Sequence, residues 1–164
     1  VTGGEPLLQT KFLVTLFKEL KKRNIPTAID TSGMFDITDD IKELLKFTDL
    51  VLLDIKHIDS TKCKDLVGFS NEKELAFARY LSDNNIDIWI RQVLVPGITD
   101  DEKDLLKLKE FISTLKTVKK IEINPYHELG KFKWEELGLK YPLEGVRPAD
   151  SNDVDRAKKI LEIK

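Results

Sequence analysis

Leu50-Val51-Leu52-Leu53-Asp54-Ile55-Lys56 is the stretch that decides the fold. Its apolar run lacks the period-two alternation of a half-solvated strand. Such a run predicts a strand covered on both faces, as in a parallel sheet flanked by helices. Upstream, Ile25 to Asp30 is a second predicted strand. Downstream, Ile86 to Val95, stopped by Pro96-Gly97, and Lys119 to Asn124, halted by Pro125, are two more. Between them lie stretches of helical spacing. Leu7 to Arg23 carries Leu8, Phe12, Leu13, Leu16, Phe17 and Leu20 on one face, with lysines behind. Ile37 to Phe47 follows, with Thr38 or Asp39 as cap, then Ser60 to Leu66 and Asn71 to Asp83. Asp100 to Leu115 is expected to be capped by Thr99, and Asp150 or Ser151 opens a last helix ending near Ile163. Glu128 to Pro148, broken by Gly130, Gly138, Pro142 and Gly145, is expected to be irregular.

Alternating strands and helices mean α/β architecture with a parallel sheet and crossover helices. Val1-Thr2 has the look of a strand end and Gly3-Gly4-Glu5-Pro6 of the turn after it, so the chain is expected to be a piece of a longer protein. Four whole strands and the tail of a fifth are too few to close an eight-stranded barrel. The expectation is a partial barrel that lacks its first strand or two, in one domain over residues 1–164.

Composition narrows the function classes. The 164 residues are 41% hydrophobic and 34% charged, with 27 basic against 29 acidic groups and a net charge of −2. No field of one sign calls for nucleic acid or an anionic membrane. No apolar run approaches the ~20 residues of a membrane helix. A single cysteine, Cys63, excludes an internal disulfide and fits a reducing, cytoplasmic compartment.

Chemistry-bearing residues recur at predicted strand ends, which in a β/α-repeat fold converge on one rim. Gly3-Gly4-Glu5 pairs two flexible residues with a carboxylate suited to a ligand ammonium, or forms a plain turn with an acid at a helix start. Asp30, Thr31 and Asp54 offer oxygen ligands for a hard cation, or cap local backbone. Lys56 points to the same side as Asp54 and suits a carboxylate or phosphate. Arg91, in Trp89-Ile90-Arg91-Gln92-Val93, must be paired to sit in so apolar a strand and is expected to face a polar barrel interior. His127 follows the last strand as an acid/base, a metal ligand or a stacking surface, whereas His57 is taken as a bystander and Cys63 as an inert helix residue.

Together these residues carry a resemblance. Val1-Thr2-Gly3-Gly4-Glu5-Pro6, Asp30-Thr31-Ser32-Gly33, Asp49-Leu50-Val51-Leu52-Leu53-Asp54-Ile55-Lys56, Leu66-Val67-Gly68, Trp89-Ile90-Arg91, Val95-Pro96-Gly97 and Asn124-Pro125-Tyr126-His127-Glu128-Leu129-Gly130 resemble the radical S-adenosylmethionine (SAM) enzymes that activate glycyl-radical enzymes such as pyruvate formate-lyase. The resemblance runs over the whole chain. It implies a partial (β/α)6 barrel of TIM-like type. It implies that Gly3, Gly4 and Glu5 face the SAM amino group, that Asp54, Ile55 and Lys56 lie along its methionyl part, and that His127 lies near it. Asp30, Thr31 and Asp54, with the Leu52 carbonyl, would hold sodium or potassium beside the SAM carboxylate. Ser32 stands where the family usually has Asn.

The resemblance also implies a [4Fe–4S] cluster, a glycyl-radical enzyme as partner and an electron donor such as flavodoxin or ferredoxin. The family's Cys-x3-Cys-x2-Cys motif is not in this sequence, and Cys63 cannot replace three ligands. The cluster is therefore expected only in a longer parent, and the isolated chain is expected to be inactive. Two other readings stand beside this one. The first is a Schiff-base barrel lyase using Lys56, disfavoured because neighbouring acids keep a lysine charged. The second is a non-catalytic binding module.

Overall fold

A computed structural model describes residues 1–163. Its four strands, β1 (Ala28–Thr31), β2 (Leu50–Asp54), β3 (Asp87–Leu94) and β4 (Val118–Pro125), form one parallel sheet in the order β1-β2-β3-β4. The crossovers are α2 (Asp39–Leu45), α3 (Ser60–Val67) with α4 (Glu72–Asp83), and α5 (Glu102–Ser113). α1 (Thr10–Lys22) leads into β1, and the short α6 (Lys131–Glu136) and α7 (Ser151–Leu161) follow β4. Val1 runs beside β1: its nitrogen donates to the Ala28 carbonyl (2.6 Å) and its carbonyl accepts from the Asp30 N–H (2.9 Å). That is the parallel-ladder pattern, made by Val1 alone, and Val1-Thr2 is not itself a strand.

One expectation is overturned. The helices cover one face of the sheet, not both. Ile29, Val51, Leu53, Ile88, Ile90 and Leu94 point into the helix layer and are fully buried, among Leu13, Phe17, Leu44, Phe77, Leu81, Leu105 and Leu108. Their alternates, Asp30, Leu50, Leu52, Asp54, Trp89 and Arg91, are only half-buried on the opposite face. An apolar run without alternation thus serves here as one packed face and one open face, the face a barrel turns inward.

Local chemistry sets the element ends. Glu5 caps a 3-10 turn over Pro6–Gln9, so α1 begins only at Thr10; Leu8 and Phe12 consequently leave the apolar stripe and are exposed. Thr38 caps α2, and Asp150 opens α7 with a reciprocal capping box to Asp153. Thr99 does not cap α5; Asp101 does, accepting from Lys103 and Asp104 N–H groups. The Thr99 hydroxyl instead closes the turn after β3, donating to the Val93 carbonyl and accepting from Val95 N–H (both 2.7 Å). The stretch from Glu128 to Pro148 contains a 3-10 turn over Glu128–Gly130 and α6, and is otherwise irregular and largely exposed.

Gly33 closes the turn after β1 at φ +66°, and a Cβ there would lie 2.7 Å from Leu53 Cδ1 and 3.0 Å from a Phe77 ring carbon. Strain and overpacking act together at this position, so Gly33→Ala is expected to cost roughly 1–3 kcal/mol. Urea denaturation measures it; an unchanged midpoint refutes this account of the turn.

Candidate functional site

The sheet register brings Asp54 directly opposite Arg91, and Asp30 opposite Leu52, on the open face. Arg91 projects between the two acids. Its Nε donates to Asp54 Oδ1 (2.7 Å), its Nη1 to Asp30 Oδ2 (3.1 Å), and its Nη2 to Asp30 Oδ1. The guanidinium thus grips Asp30 with a bidentate fork. The chain of contacts continues at both ends: Thr2 Oγ1 donates to Asp30 Oδ2 (3.0 Å) and Lys56 Nζ to Asp54 Oδ2 (2.9 Å). Two carboxylates and two cations balance within a patch whose charged side chains are 18–29% exposed. Burial opposes the Arg91 charge, but the hydrogen bonds and fields of Asp30 and Asp54 outweigh it and hold the guanidinium more firmly protonated than usual. Sequence reasoning flagged Arg91 as needing a partner but did not place it in the site; a cation in the middle of an apolar strand was the signal.

The other predicted residues divide. Thr31 alternates to the helix side, where its hydroxyl donates to Glu5 Oε1 (2.7 Å). It shares neither face nor side-chain contact with Asp30 and Asp54. Glu5 is also engaged: besides Thr31 it accepts from Leu7 N–H (3.2 Å), Ser32 N–H (3.0 Å) and Ser32 Oγ (2.9 Å). Its carboxylate clamps the first turn to the end of β1 and has four protein donors in place of a ligand ammonium. Gly3 and Gly4 remain open: both have positive φ, +97° and +57°, and nothing lies within 4 Å of where a Cβ would be. Ile55 sends its side chain into the core and its N–H to the Arg91 carbonyl (2.9 Å), so it adds backbone only. His127 is exposed at the end of β4, on the rim, with Nδ1 accepting from Leu129 N–H (3.3 Å).

Cys63 is fully buried and its thiol is pushed up to about 11, chiefly by desolvation and then by Glu74, so it is no nucleophile. Among the described residues, no group of three His, Cys, Asp or Glu side chains could hold a metal. Lys56 is ion-paired to Asp54 rather than free as an amine, which leaves the Schiff-base reading without support. Two residues that sequence reasoning missed lie directly beneath the rim. His57, taken as a bystander, is 1% exposed and hydrogen-bonded. Glu74 is fully buried with both carboxylate oxygens unpartnered, near Gly33 and Lys56.

Comparisons with known proteins give the family. Residues 1–108 match the model of the Radical SAM superfamily. Two curated pyruvate formate-lyase-activating enzymes are similar over 98% of the chain: one from Staphylococcus epidermidis, 54% identical, and one from Streptococcus mutans, 49% identical. The chain spans 66% and 63% of their respective lengths, about two thirds. A crystal structure of a domain of pyruvate-formate lyase-activating enzyme from Bacteroides vulgatus superposes with a TM-score of 0.80 at 25% identity, covering 98% of this chain and 90% of that one. Streptococcus suis SuiB bound to S-adenosylmethionine, 19% identical with a TM-score of 0.71, covers 98% of this chain and 34% of that one and shares the fold. The chain belongs to the radical SAM superfamily. Within it, the whole chain is similar to the pyruvate formate-lyase-activating enzymes.

Desolvation pushes the Glu74 carboxyl up to about 8, against the weaker pull of Lys56. The sign of its pH effect follows. Between about pH 4.5 and 8 the folded state holds a proton that the unfolded state has lost, so stability falls as pH rises, by on the order of 1.4 kcal/mol per pH unit. Glu74→Gln removes that slope. It is expected to match wild type near pH 4.5 and to be the more stable protein at pH 7–8. Urea midpoints across pH 4.5–8.5 check this, and parallel curves for the two proteins refute it.

Proposed function

We propose that the longer protein containing this chain is a radical SAM activase that generates a glycyl radical on a pyruvate formate-lyase-like partner. The carrying observation is the charged chain Asp30–Arg91–Asp54–Lys56 on the open face, tied through Thr2 to the unobstructed positive-φ Gly3-Gly4 turn that follows it. Fixed cations and acids suit a ligand that presents both a carboxylate and an ammonium, and bare glycine backbone lets such a ligand approach closely. SAM carries both groups on its methionyl end. Lys56 and Arg91 would take its carboxylate, the Gly3–Gly4 backbone its ammonium, and His127 would stand at the far side of the rim. With one electron from a reduced [4Fe–4S] cluster, SAM would break a sulfonium C–S bond to leave methionine and a carbon radical able to take a hydrogen atom from the partner's glycine. This chain's own part is to orient SAM and neutralise its charges. We place the cluster ligands, and contact with a flavodoxin- or ferredoxin-like electron donor, in the third of the relatives' length that this chain does not span. A cytoplasmic setting goes with the lone, buried thiol.

The test uses the longer protein, reduced anaerobically with SAM and a pyruvate formate-lyase. A glycyl-radical signal in paramagnetic resonance is expected, and its absence with an intact cluster overturns the assignment. In the same preparation Lys56→Ala is expected to weaken SAM binding by about ten- to a hundredfold, the loss of one charged hydrogen bond of about 1.5–3 kcal/mol. Affinity within twofold of wild type removes Lys56 from the site.

The proposed sodium or potassium site at Asp30, Thr31 and Asp54 takes a narrower form. Thr31 serves it only through backbone, since its hydroxyl is held by Glu5, and Arg91 must swing away from the acids to admit the ion. SAM affinity is then expected to rise with potassium in wild type and to lose that dependence in Asp54→Ala. Affinity that ignores potassium leaves Arg91 as the only charge between the two acids.

A further inference from the structure

Lys56 sits in a strap that has already left the sheet. The last ladder bond is from Ile55 N–H to the Arg91 carbonyl (2.9 Å), and the next fixed point is Asp59, which caps α3 by accepting from Thr61 and Lys62 N–H groups (both 3.1 Å). Between those points the strap carries the charged tip of the site. The His57 ring fastens it. Nδ1 accepts from Asp59 N–H (3.0 Å), which places the ring proton of the neutral form on Nε2. Nε2 faces the Ile98 carbonyl (3.2 Å) in the neighbouring rim loop, with Asp104 Oδ2 at 3.7 Å beyond it. Asn71, itself 3% exposed, holds the strap from the other side through Nδ2 bonds to the carbonyls of His57 (2.9 Å) and Ile58 (2.6 Å). Asp104 is tied in turn to Lys62 (2.5 Å) and lies near Lys107 (3.5 Å), so the acid behind the ring is already paired.

From this we infer that His57 is a positioning residue: its neutral ring locks the strap after β2 to the loop after β3 and thereby sets the reach of Lys56 into the site. The neighbouring side chains alternate in duty. His57 turns down into the protein, where it is 1% exposed, and Lys56 turns out to Asp54 on the open face. Freed of the ring, the strap around Lys56 would lose its tie to the loop after β3 and keep only the Ile55 ladder bond and the Asn71 amide as anchors. A flexible lysine then loses more conformational entropy on meeting a ligand, which weakens affinity without touching the ligand itself. The inference rests on the SAM-site reading above.

The test is a double-mutant cycle in the longer, cluster-bearing protein, read as SAM affinity. His57→Leu is expected to weaken binding about tenfold, the low end for a supporting hydrogen bond. His57→Gln keeps an acceptor and a donor and is expected to stay within about threefold. In a Lys56→Ala background His57→Leu is expected to change affinity by less than about twofold, because the residue through which it acts is gone. The same loss in both backgrounds means a purely structural role and overturns the inference, as does full affinity in His57→Leu. Hydrogen exchange at residues 56–59 of this chain reads the anchor separately: faster in His57→Leu, unchanged in His57→Gln. Should His57→Leu not fold, Asn71→Ala releases the strap from its other side and takes its place in the cycle. Wild-type protein that binds no SAM fails the functional reading and removes the affinity basis of the inference, whereas wild-type binding with a flat cycle fails the inference alone.

Discussion

An arginine in the third strand of a four-stranded sheet must be neutralised where it stands, and that requirement organises the open face. Arg91 shares its strand with Ile88, Ile90 and Leu94, all fully buried. Alternation turns it to the opposite face, where only neighbouring strands can supply partners. Asp54 meets it because the β2–β3 register sets the two opposite each other. Asp30, one strand further away, is reached by the long planar fork. The pairing therefore spans three strands, and any shift in their register would break it. Leaving one charge of such a set unpaired costs more than the set contributes when complete. The network accordingly specifies register and charge placement more than it adds stability.

The same network explains how the rim stays poised. Asp54 divides its two oxygens between Arg91 and Lys56, whereas Asp30 gives both oxygens to Arg91 and shares one of them with Thr2. On the proposed function, a zwitterionic ligand would exchange with these internal partners one charge at a time. Its carboxylate would replace an aspartate at Lys56 or Arg91, while the released acids stay near other donors. Partial exposure of every member keeps that exchange within reach of water, which limits the desolvation cost of each intermediate pairing. Glu5 behaves in the opposite way. With four protein donors on its carboxylate it is committed to the fold, clamping the first turn to the end of β1.

Element types were legible in the sequence because strand runs and helical stripes had the right lengths and clear punctuation. Errors gathered where tertiary context decides. The Leu50–Leu53 run suggested two covered faces, since an apolar run is the same whether its second face meets helices or the inside of a barrel. Leu8 and Phe12 fit a helical stripe, but Glu5 bonds Leu7 N–H and winds a tighter turn there, displacing both residues from the core. Thr99 looked like a cap because it precedes a helical pattern, and only the turn geometry shows Asp101 in that role. The rim acids were found from their place at strand ends. The partner between them was not, because register cannot be read from one sequence.

What remained hidden beneath the rim has a common physical cause. His57 and Glu74 are polar residues that ordinary statistics assign to solvent, yet both are buried, 1% and 0% exposed. Their difference is instructive. His57 has satisfied both ring nitrogens, so its burial is compatible with a fixed strap. Glu74 has no partner at hydrogen-bonding geometry on either oxygen, and desolvation pushes its carboxyl up to about 8 despite the nearby Lys56 backbone N–H, so its burial favours the protonated form. One supplies geometry and the other a neutral volume that fills the space near Gly33 and Cys63. Desolvation outweighs the pull of Lys56 on Glu74, so the acid is held as a neutral group on the helix side while Lys56 pairs with Asp54 on the open face.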